Sequence, residues 1–548
     1  MQPLVATRSI FRSSRALSLR RAYSTSPSPP SKPYYITTPI FYPNAKPHIG
    51  HLHSLVIADI YARYAKLCDP DRAVHFVTGT DEHGLKIQNA AKAKGLSPLQ
   101  FCDELSVNFR NLAKDANTTV SCFTRTTQLD HVAAVTHLWK ELEAKGLIYK
   151  GEHSGWYSIS DETFYPATQV TQLENGEHIS TTSGSKVEWQ TEVNYKFRLS
   201  AFRDSLRTHY TENPDVVFPP QAHQEVLAWL EGPLEGLSIS RNRSRLTWGI
   251  PVPNDPEQTI YVWIDALTTY LSSVGYPWNA PNESSRPIWP PNVQVIGKDI
   301  LRFHAIYFPA MLQALGLPLP INLLSHAHWT VDRAKMSKSV GNVADPVEFI
   351  QEHDSDIVRF YLARVGGRFR IDVDWSEPQL LKHRRELVTN FGNTYARLAS
   401  PAMAERTDAL RPADAASALR AAHPVLAEQL ASLPEVFDTH MRGFGLADAV
   451  AAVVDALEQV NVMLTVVRPW DASVPAQDVA DARWIGLEAL RQCAILFQPI
   501  IPVHAEMLLD ALGVHGGLRS LRDAGFGRPA LGKTFPKLLL WENKKAKK

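Results

Sequence analysis

Thr37-Thr38-Pro39-Ile40-Phe41-Tyr42-Pro43-Asn44-Ala45-Lys46-Pro47-His48-Ile49-Gly50-His51 reads as the end of a strand, a proline-rich turn and the first turn of a helix. Tyr34 to Thr38 is β-prone, and Pro39 and Pro43 end the strand. From Gly50 onward, Leu52, Leu55, Val56, Asp59, Ile60 and Tyr64 fall at helical spacing. His48 and His51 therefore sit at a helix N-terminus, where free N–H groups and the positive end of the dipole favour phosphate oxygens. Gly50 between them lets a flat ring approach the backbone without meeting a Cβ. A surface pair or a metal-ligand pair of histidines would show the same four residues.

Working outward, Tyr34 to Lys145 alternates strand-like and helix-like runs. Val74 to Thr78 reads as a buried strand, and helical stretches follow at Leu85 to Lys94, Pro98 to Ala116 and Gln128 to Lys145. This predicts half of a doubly wound α/β fold. Ligands gather at the carboxyl ends of strands in such sheets, where His48 to His51 and Gly79-Thr80-Asp81-Glu82-His83-Gly84 both fall. The alternation stops between Gly146 and Gly249, which reads as an insertion. It resumes at Tyr261 to Leu267 and at Val293 to Asp299. After Asp372 the pattern turns helical. Leu446, Val450, Val453, Leu457, Val460 and Leu464 form one apolar seam, as expected of a helix packed in a bundle.

A chain of 548 residues exceeds a single core at ~100 to 200 residues per domain. No window approaches the roughly 18 uninterrupted apolar residues of a membrane span. Cys68, Cys102, Cys122 and Cys493 are scattered, which suits neither a disulfide framework nor a thiolate metal site. Residues 1–33 differ from the rest: Arg8, Arg12, Arg15, Arg20 and Arg21 alternate with apolar and serine residues, and no acidic residue precedes Asp59. That composition predicts a mitochondrial presequence and linker, and a matrix location. Without those arginines the formal charge falls from +1 to about −4, so affinity for RNA must come from local patches.

Lys335-Met336-Ser337-Lys338-Ser339, followed by Gly341, reads as a mobile basic loop. Together with His48-Ile49-Gly50-His51 it resembles the paired signature of class I aminoacyl-tRNA synthetases. Further stretches make the chain similar to methionyl-tRNA synthetases from about Tyr34 to Trp541. They are Thr38 to Asn44, Thr78 to Gly84, Leu237 to Arg241, Trp248 to Pro253, Tyr261 to Ala266 and Ile296 to His304. The resemblance implies a Rossmann-type catalytic domain over 34–145 and 251–330, interrupted by a connective insertion over 146–250. A signature loop and stem-contact region over 331–385 and an all-α anticodon-binding bundle with a basic tail over 386–548 would follow.

The resemblance also implies roles. Attack of a carboxylate on the α-phosphorus of ATP needs positive charge that strengthens in the transition state. His48 and His51 can donate to phosphate oxygens, and Lys335 and Lys338 can clamp the departing pyrophosphate. The ATP site would add Gly50, Gly297 and Asp299. The methionine pocket would comprise Ile40, Tyr42, Trp263, Ala266, Tyr270, Ile300, Phe303 and His304, with Asp81 meeting the substrate ammonium. A polarisable thioether suits aromatic faces and one hydrogen-bond donor. Phe308 stands where many relatives carry Trp, and Leu267 where some carry Pro; both keep an apolar wall. Asn393, Arg397 and Trp470 match the anticodon readers, with an aromatic ring to stack on a base and polar groups for its edge.

Many relatives carry zinc-binding cysteine pairs in the insertion. Here Ser158 and Asp161 occupy those positions and no cysteine lies between Cys122 and Cys493, so no zinc is expected. Mg²⁺ is implied by the ATP chemistry. Partners would be methionine, ATP and tRNA, with no membrane, and the expected state is a monomer. Two rivals stand beside this reading. A synthetase for leucine, isoleucine or valine usually needs a longer editing insertion. A non-catalytic RNA-binding or splicing protein would have no use for His48, His51, Lys335 and Lys338 together.

Overall fold

The computed structural model of the chain describes residues 32–159, 163–165, 167–181, 183–278, 288–331, 334–335, 345–410, 415–527, 531–532 and 534–541. Six parallel strands form its central sheet: β1 (Tyr34–Phe41), β2 (Val74–Thr80), β3 (Cys122–Arg125), β4 (Val217–Phe218), β5 (Val293–Gly297) and β6 (Leu323–His326). Their order is β3-β2-β1-β5-β6-β4, so the strand order reverses between β1 and β5. A crevice opens at such a switch point, beyond the carboxyl ends of the strands.

Two local features depart from expectation. β1 does not stop at Thr38. Its pairing with β2 shifts register between Thr37 and Ile40, then resumes with Ile40 opposite Gly79 and Phe41 opposite Thr80. Pro39 has no N–H to give the ladder, so pairing skips it instead of ending. Val217–Phe218, expected inside the insertion, is an edge strand of the central sheet and pairs with β6. Two residues are too short a run to show alternation. The insertion itself is an antiparallel sheet built on Ile148–Ser158 and Lys186–Phe197, with Thr163–Tyr165, Val170–Gln172 and His178–Ser180 around them. The span from 199 to 231 instead packs back on the catalytic core, where the Tyr210 hydroxyl donates to the Ala305 carbonyl at 2.6 Å.

Helix α1 (Ile49–Cys68) follows β1, and α2 (Val262–Ser272) precedes β5. Beyond the sheet, α3 (Ser355–Gly366) leads to a bundle that includes α4 (Leu446–Val467) and α5 (Ala476–Phe497). All six seam residues of α4 are buried. By length and hydropathy α4 could cross a membrane, but the seam is covered by protein.

The bundle is joined to α1 by a buried arginine. Arg359 on α3 is 1% exposed and meets Asp59 of α1 at 2.7 Å. It also donates to the carbonyls of Ile500, Pro499 and Ala116. Burial pushes the Asp59 carboxyl up, but Arg359, Arg63 and Thr119 together hold it below its ordinary value.

Candidate active site

The two histidines of the opening stretch cap α1. His48 is the N-cap, with extended backbone, and its Nδ1 accepts from the Gly50 N–H at 3.1 Å. Nδ1 of His51 accepts in turn from the His48 N–H at 3.0 Å. A ring nitrogen that accepts carries no hydrogen, so each neutral imidazole has its hydrogen on Nε2. The local sequence thus settles the tautomer of both rings as well as the helix start. The rings lie 3.8 Å apart, and Phe41 and Phe109 place T-shaped contacts against His51. Gly50 is tight here: a Cβ would lie 2.9 Å from the His48 ring.

His48, Gly50 and His51 line a cleft of about 350 Å³. The end of β1 contributes Ile40 and Tyr42, the end of β2 Asp81, α2 contributes Trp263, Ala266 and Tyr270, and the end of β5 with the segment after it contributes Gly297, Asp299, Ile300 and His304. With His48, Gly50 and His51, these are the residues the sequence assigns to the amino-acid and nucleotide sites, apart from three. Phe303 lies behind the wall and stacks on Trp263, centroids 3.6 Å apart and planes 16° apart. Lys335 lies in a short strand, Ala334–Lys335, paired with Trp329–Val331, but its side chain and all of Lys338 fall outside the described residues.

His304 is held on both nitrogens. Its Nδ1–H donates to the Ile300 carbonyl at 2.9 Å, and its Nε2 accepts from the Tyr270 hydroxyl at 2.8 Å. Burial pushes the imidazole down to about 4 and the Tyr270 phenol well up, so both are neutral at physiological pH. Phe303 and His304 begin a π-helical turn, Phe303–Tyr307, an uncommon geometry that often marks functional sites. The wall is therefore uncharged and aromatic.

Several groups of this cleft were missed by sequence reasoning. His326, Ala327, His328 and Trp329 extend from the end of β6 and line it. Their signal was a buried strand, Leu323 to His326, pointing into the switch-point crevice. His326 donates from Nδ1 to the Ala327 carbonyl and pairs with the Ser54 hydroxyl at 2.7 Å; burial holds it down to about 4. Nε2 of His328 lies 3.1 Å from Asp299. Asp372 accepts from Lys298 through both oxygens and from the His328 N–H, tying the turn after β5 to the strand that leads toward Lys335.

Asn393, Arg397 and Trp470 lie in the helical region and not in this cleft. Asn393 closes a π-helical turn, Val388–Asn393, and Arg397 lies on Thr394–Leu398; both are exposed. Trp470 is 54% exposed. Its loop is clamped by Arg406, which donates to the carbonyls of Pro469, Asp471 and Val474. The zinc question falls partly outside the described residues, since 160–162 are among those not described. Among the described residues no three His, Cys, Asp or Glu side chains converge as a metal site.

Comparison with known proteins agrees with this geometry. The family model for class I (M) tRNA synthetases matches residues 34–399. The chain is 42% identical to the probable mitochondrial methionine–tRNA ligase of Schizosaccharomyces pombe, over 90% of this chain and 92% of that protein. It is 40% identical to the mitochondrial methionine–tRNA ligase of Homo sapiens, over 92% and 90%. Among solved structures, Mycobacterium tuberculosis methionyl-tRNA synthetase bound by methionyl-adenylate superposes with a TM-score of 0.83 at 36% identity, covering 92% of this chain and 99% of that one. The switch-point cleft, the histidine-capped helix and these matches lead to one conclusion: the chain belongs to the class I (M) family of tRNA synthetases.

Proposed function

We propose that the protein joins L-methionine to ATP as methionyl-adenylate, releasing pyrophosphate, and then transfers methionine to mitochondrial tRNA(Met). The observation that carries this reading is the continuity of one cleft. Ile40 and Tyr42 at the end of β1 line it beside His48 and His51, which cap the next helix. An amino-acid carboxylate lodged against the strand end meets a triphosphate lodged against the helix end.

In the first step the methionine carboxylate attacks the α-phosphorus and the bond to the β-phosphate oxygen breaks. Nε2–H of His48 and of His51 donate to phosphate oxygens as their charge grows, and the α1 N-terminus adds its dipole. Lys335 and Lys338 hold the leaving pyrophosphate. Asp81 pairs with the substrate ammonium. Trp263, Ala266, Tyr270, Ile300 and His304 enclose the thioether, with Phe303 stacked behind Trp263, and because both His304 nitrogens are satisfied, the aromatic faces carry this recognition. Gly297 and Asp299 hold the ribose. In the second step the terminal ribose hydroxyl of the tRNA attacks the adenylate carbonyl and AMP leaves. Positioning and charge stabilisation supply the rate, with no covalent enzyme intermediate.

Magnesium enters as the complex of ATP and neutralises phosphate charge; with no convergent ligand set among the described residues, no step is assigned to it. The insertion is proposed to be zinc-free because it has no thiolate. Asn393, Arg397 and Trp470 read the anticodon. The arginine-rich, acid-free residues 1–33 address the protein to the mitochondrial matrix, where it works as a monomer without a membrane partner.

Pyrophosphate exchange with each of the twenty amino acids tests the reading. Methionine-dependent exchange, followed by charging of tRNA(Met), is expected. Exchange with leucine but not methionine overturns the specificity, and no exchange with any amino acid favours a non-catalytic RNA-binding protein.

A further inference from the structure

Directly beside the amino-acid half of the cleft lies a buried carboxylate that the mechanism does not use. Asp265 stands in the first turn of α2, two residues after Trp263 and next to Ala266. Nδ1 of His83 donates to its Oδ2 at 2.6 Å, and Nε2 of His131 donates to its Oδ1 at 2.7 Å. Nδ1 of His131 pairs with the Ser272 hydroxyl at 2.8 Å, at the other end of the same helix. All three side chains are buried. Burial pushes the Asp265 carboxyl up, but the two imidazoles outweigh it and hold it down to about 2, so this carboxylate is ionised at every physiological pH.

His83 belongs to the turn that carries Asp81. The Asp81 N–H donates to the Phe41 carbonyl, and the Tyr42 hydroxyl donates to the His83 carbonyl at 2.9 Å. Asp265 thus joins three elements: the turn with Asp81, the helix with Trp263, Ala266 and Tyr270, and the helix Leu129–Ala144 that bears His131. An apolar residue at 265 would pack α2 without the cost of burying a charge, yet apolar contacts are indifferent to small rotations and slides. Two hydrogen bonds shorter than 2.8 Å, on opposite oxygens of one carboxylate, are directional and are lost if α2 turns about its axis.

We infer that His83 and His131, joined through Asp265, are positioning residues for the amino-acid half of the reaction, holding α2 and the Asp81 turn in the mutual setting that closes the pocket on one substrate. The inference rests on the proposed function for the identity of that substrate. It assigns no contact with substrate to the network itself.

The two histidines use different nitrogens, and this gives a test that size alone cannot mimic. Glutamine places an amide near the position of Nε2, and asparagine near that of Nδ1. H131Q therefore keeps the donor to Asp265 and H131N loses it, whereas H83N keeps the donor and H83Q loses it. Pyrophosphate exchange is measured for the four variants of the full chain, varying methionine at saturating ATP and ATP at saturating methionine, with melting temperatures alongside. H131N and H83Q are expected to raise the methionine KM by ~10-fold or more while the ATP KM stays within about 2-fold, as fits the loss of a hydrogen bond to a charged group. H131Q and H83N should restore it. Equal KM values across the four variants, or methionine and ATP KM values that rise together in step with a lower melting temperature, would overturn the inference in favour of a purely structural network. If the unsubstituted protein exchanges only with another amino acid, the proposed function fails and the same comparison is read on that amino acid's KM. If it exchanges with none, both fail.

Discussion

Replacing Arg359 by methionine removes the charge that joins α1 to the helical bundle while leaving a flexible chain to fill its volume. Asp59, fully buried, keeps Arg63 at 2.7 Å and the Thr119 N–H and hydroxyl at 2.6 and 2.7 Å. Its loss therefore falls at the low end of the ~3 to 5 kcal/mol seen when one partner of a buried pair is removed. The carbonyls of Ile500, Pro499 and Ala116 each lose a donor, at roughly 1 kcal/mol apiece. R359M should thus cost about 6 kcal/mol, against a typical total of ~5 to 15 kcal/mol. The assay is urea denaturation followed by circular dichroism and tryptophan fluorescence, on R359M, D59L and the double variant. The double variant should be less destabilised than the two single effects added together, by at least about 1.5 kcal/mol, because no charge is left stranded. An R359M protein within about 1 kcal/mol of the parent, or a strictly additive cycle, would refute the reasoning.

Within the cleft, His51→Ala should lower the exchange rate with methionine KM largely kept, whereas Tyr42→Ala should mainly raise methionine KM; if both changed only methionine affinity, the division between helix end and strand end would be wrong. His304 and His326 are buried with folded values of about 4, below the ordinary 6.5, so the unfolded chain takes up protons first as pH falls. The stability each contributes is complete above pH 6.5 and lost as pH falls toward 4, about 3 kcal/mol per histidine, and urea midpoints for H304Q across that window should show a shallower decline than the parent's. Gly79→Ala would put a Cβ 2.2 Å from the Thr124 carbonyl oxygen, so β2 and β3 must separate. A loss of about 3 kcal/mol or more is expected, and an unchanged melting temperature would contradict the pairing. Arg406→Leu frees the loop that presents Trp470; KM for tRNA should rise in aminoacylation while pyrophosphate exchange stays unchanged.

Much of the site was legible because its signals are local. Proline, glycine and helical spacing around His48 and His51 announce a strand, a turn and a helix start within fifteen residues. The α4 seam is equally local, since positions three and four apart share a face whatever the rest of the chain does. Where reading failed, the cause was also physical. Pro39 looked like a strand end, but a parallel ladder can skip one missing donor and continue. Val217–Phe218 offered two residues to a rule that needs several, and its place on the sheet edge depends on pairing with β6 more than a hundred residues later.

The sequence by itself determined the class of fold, the helix start with its two histidines and the residue types gathered in the cleft. Those properties come from steric and hydrogen-bond preferences acting across a few neighbours. Only the tertiary structure decided how the groups meet. It gave His304 one tautomer by setting Ile300 and Tyr270 on opposite nitrogens. It brought His83 to Asp265, 182 residues away, and put Phe303 behind Trp263 instead of on the cleft wall. Such partners are chosen by strand order and by how helices pack on the sheet, and no local pattern carries that information.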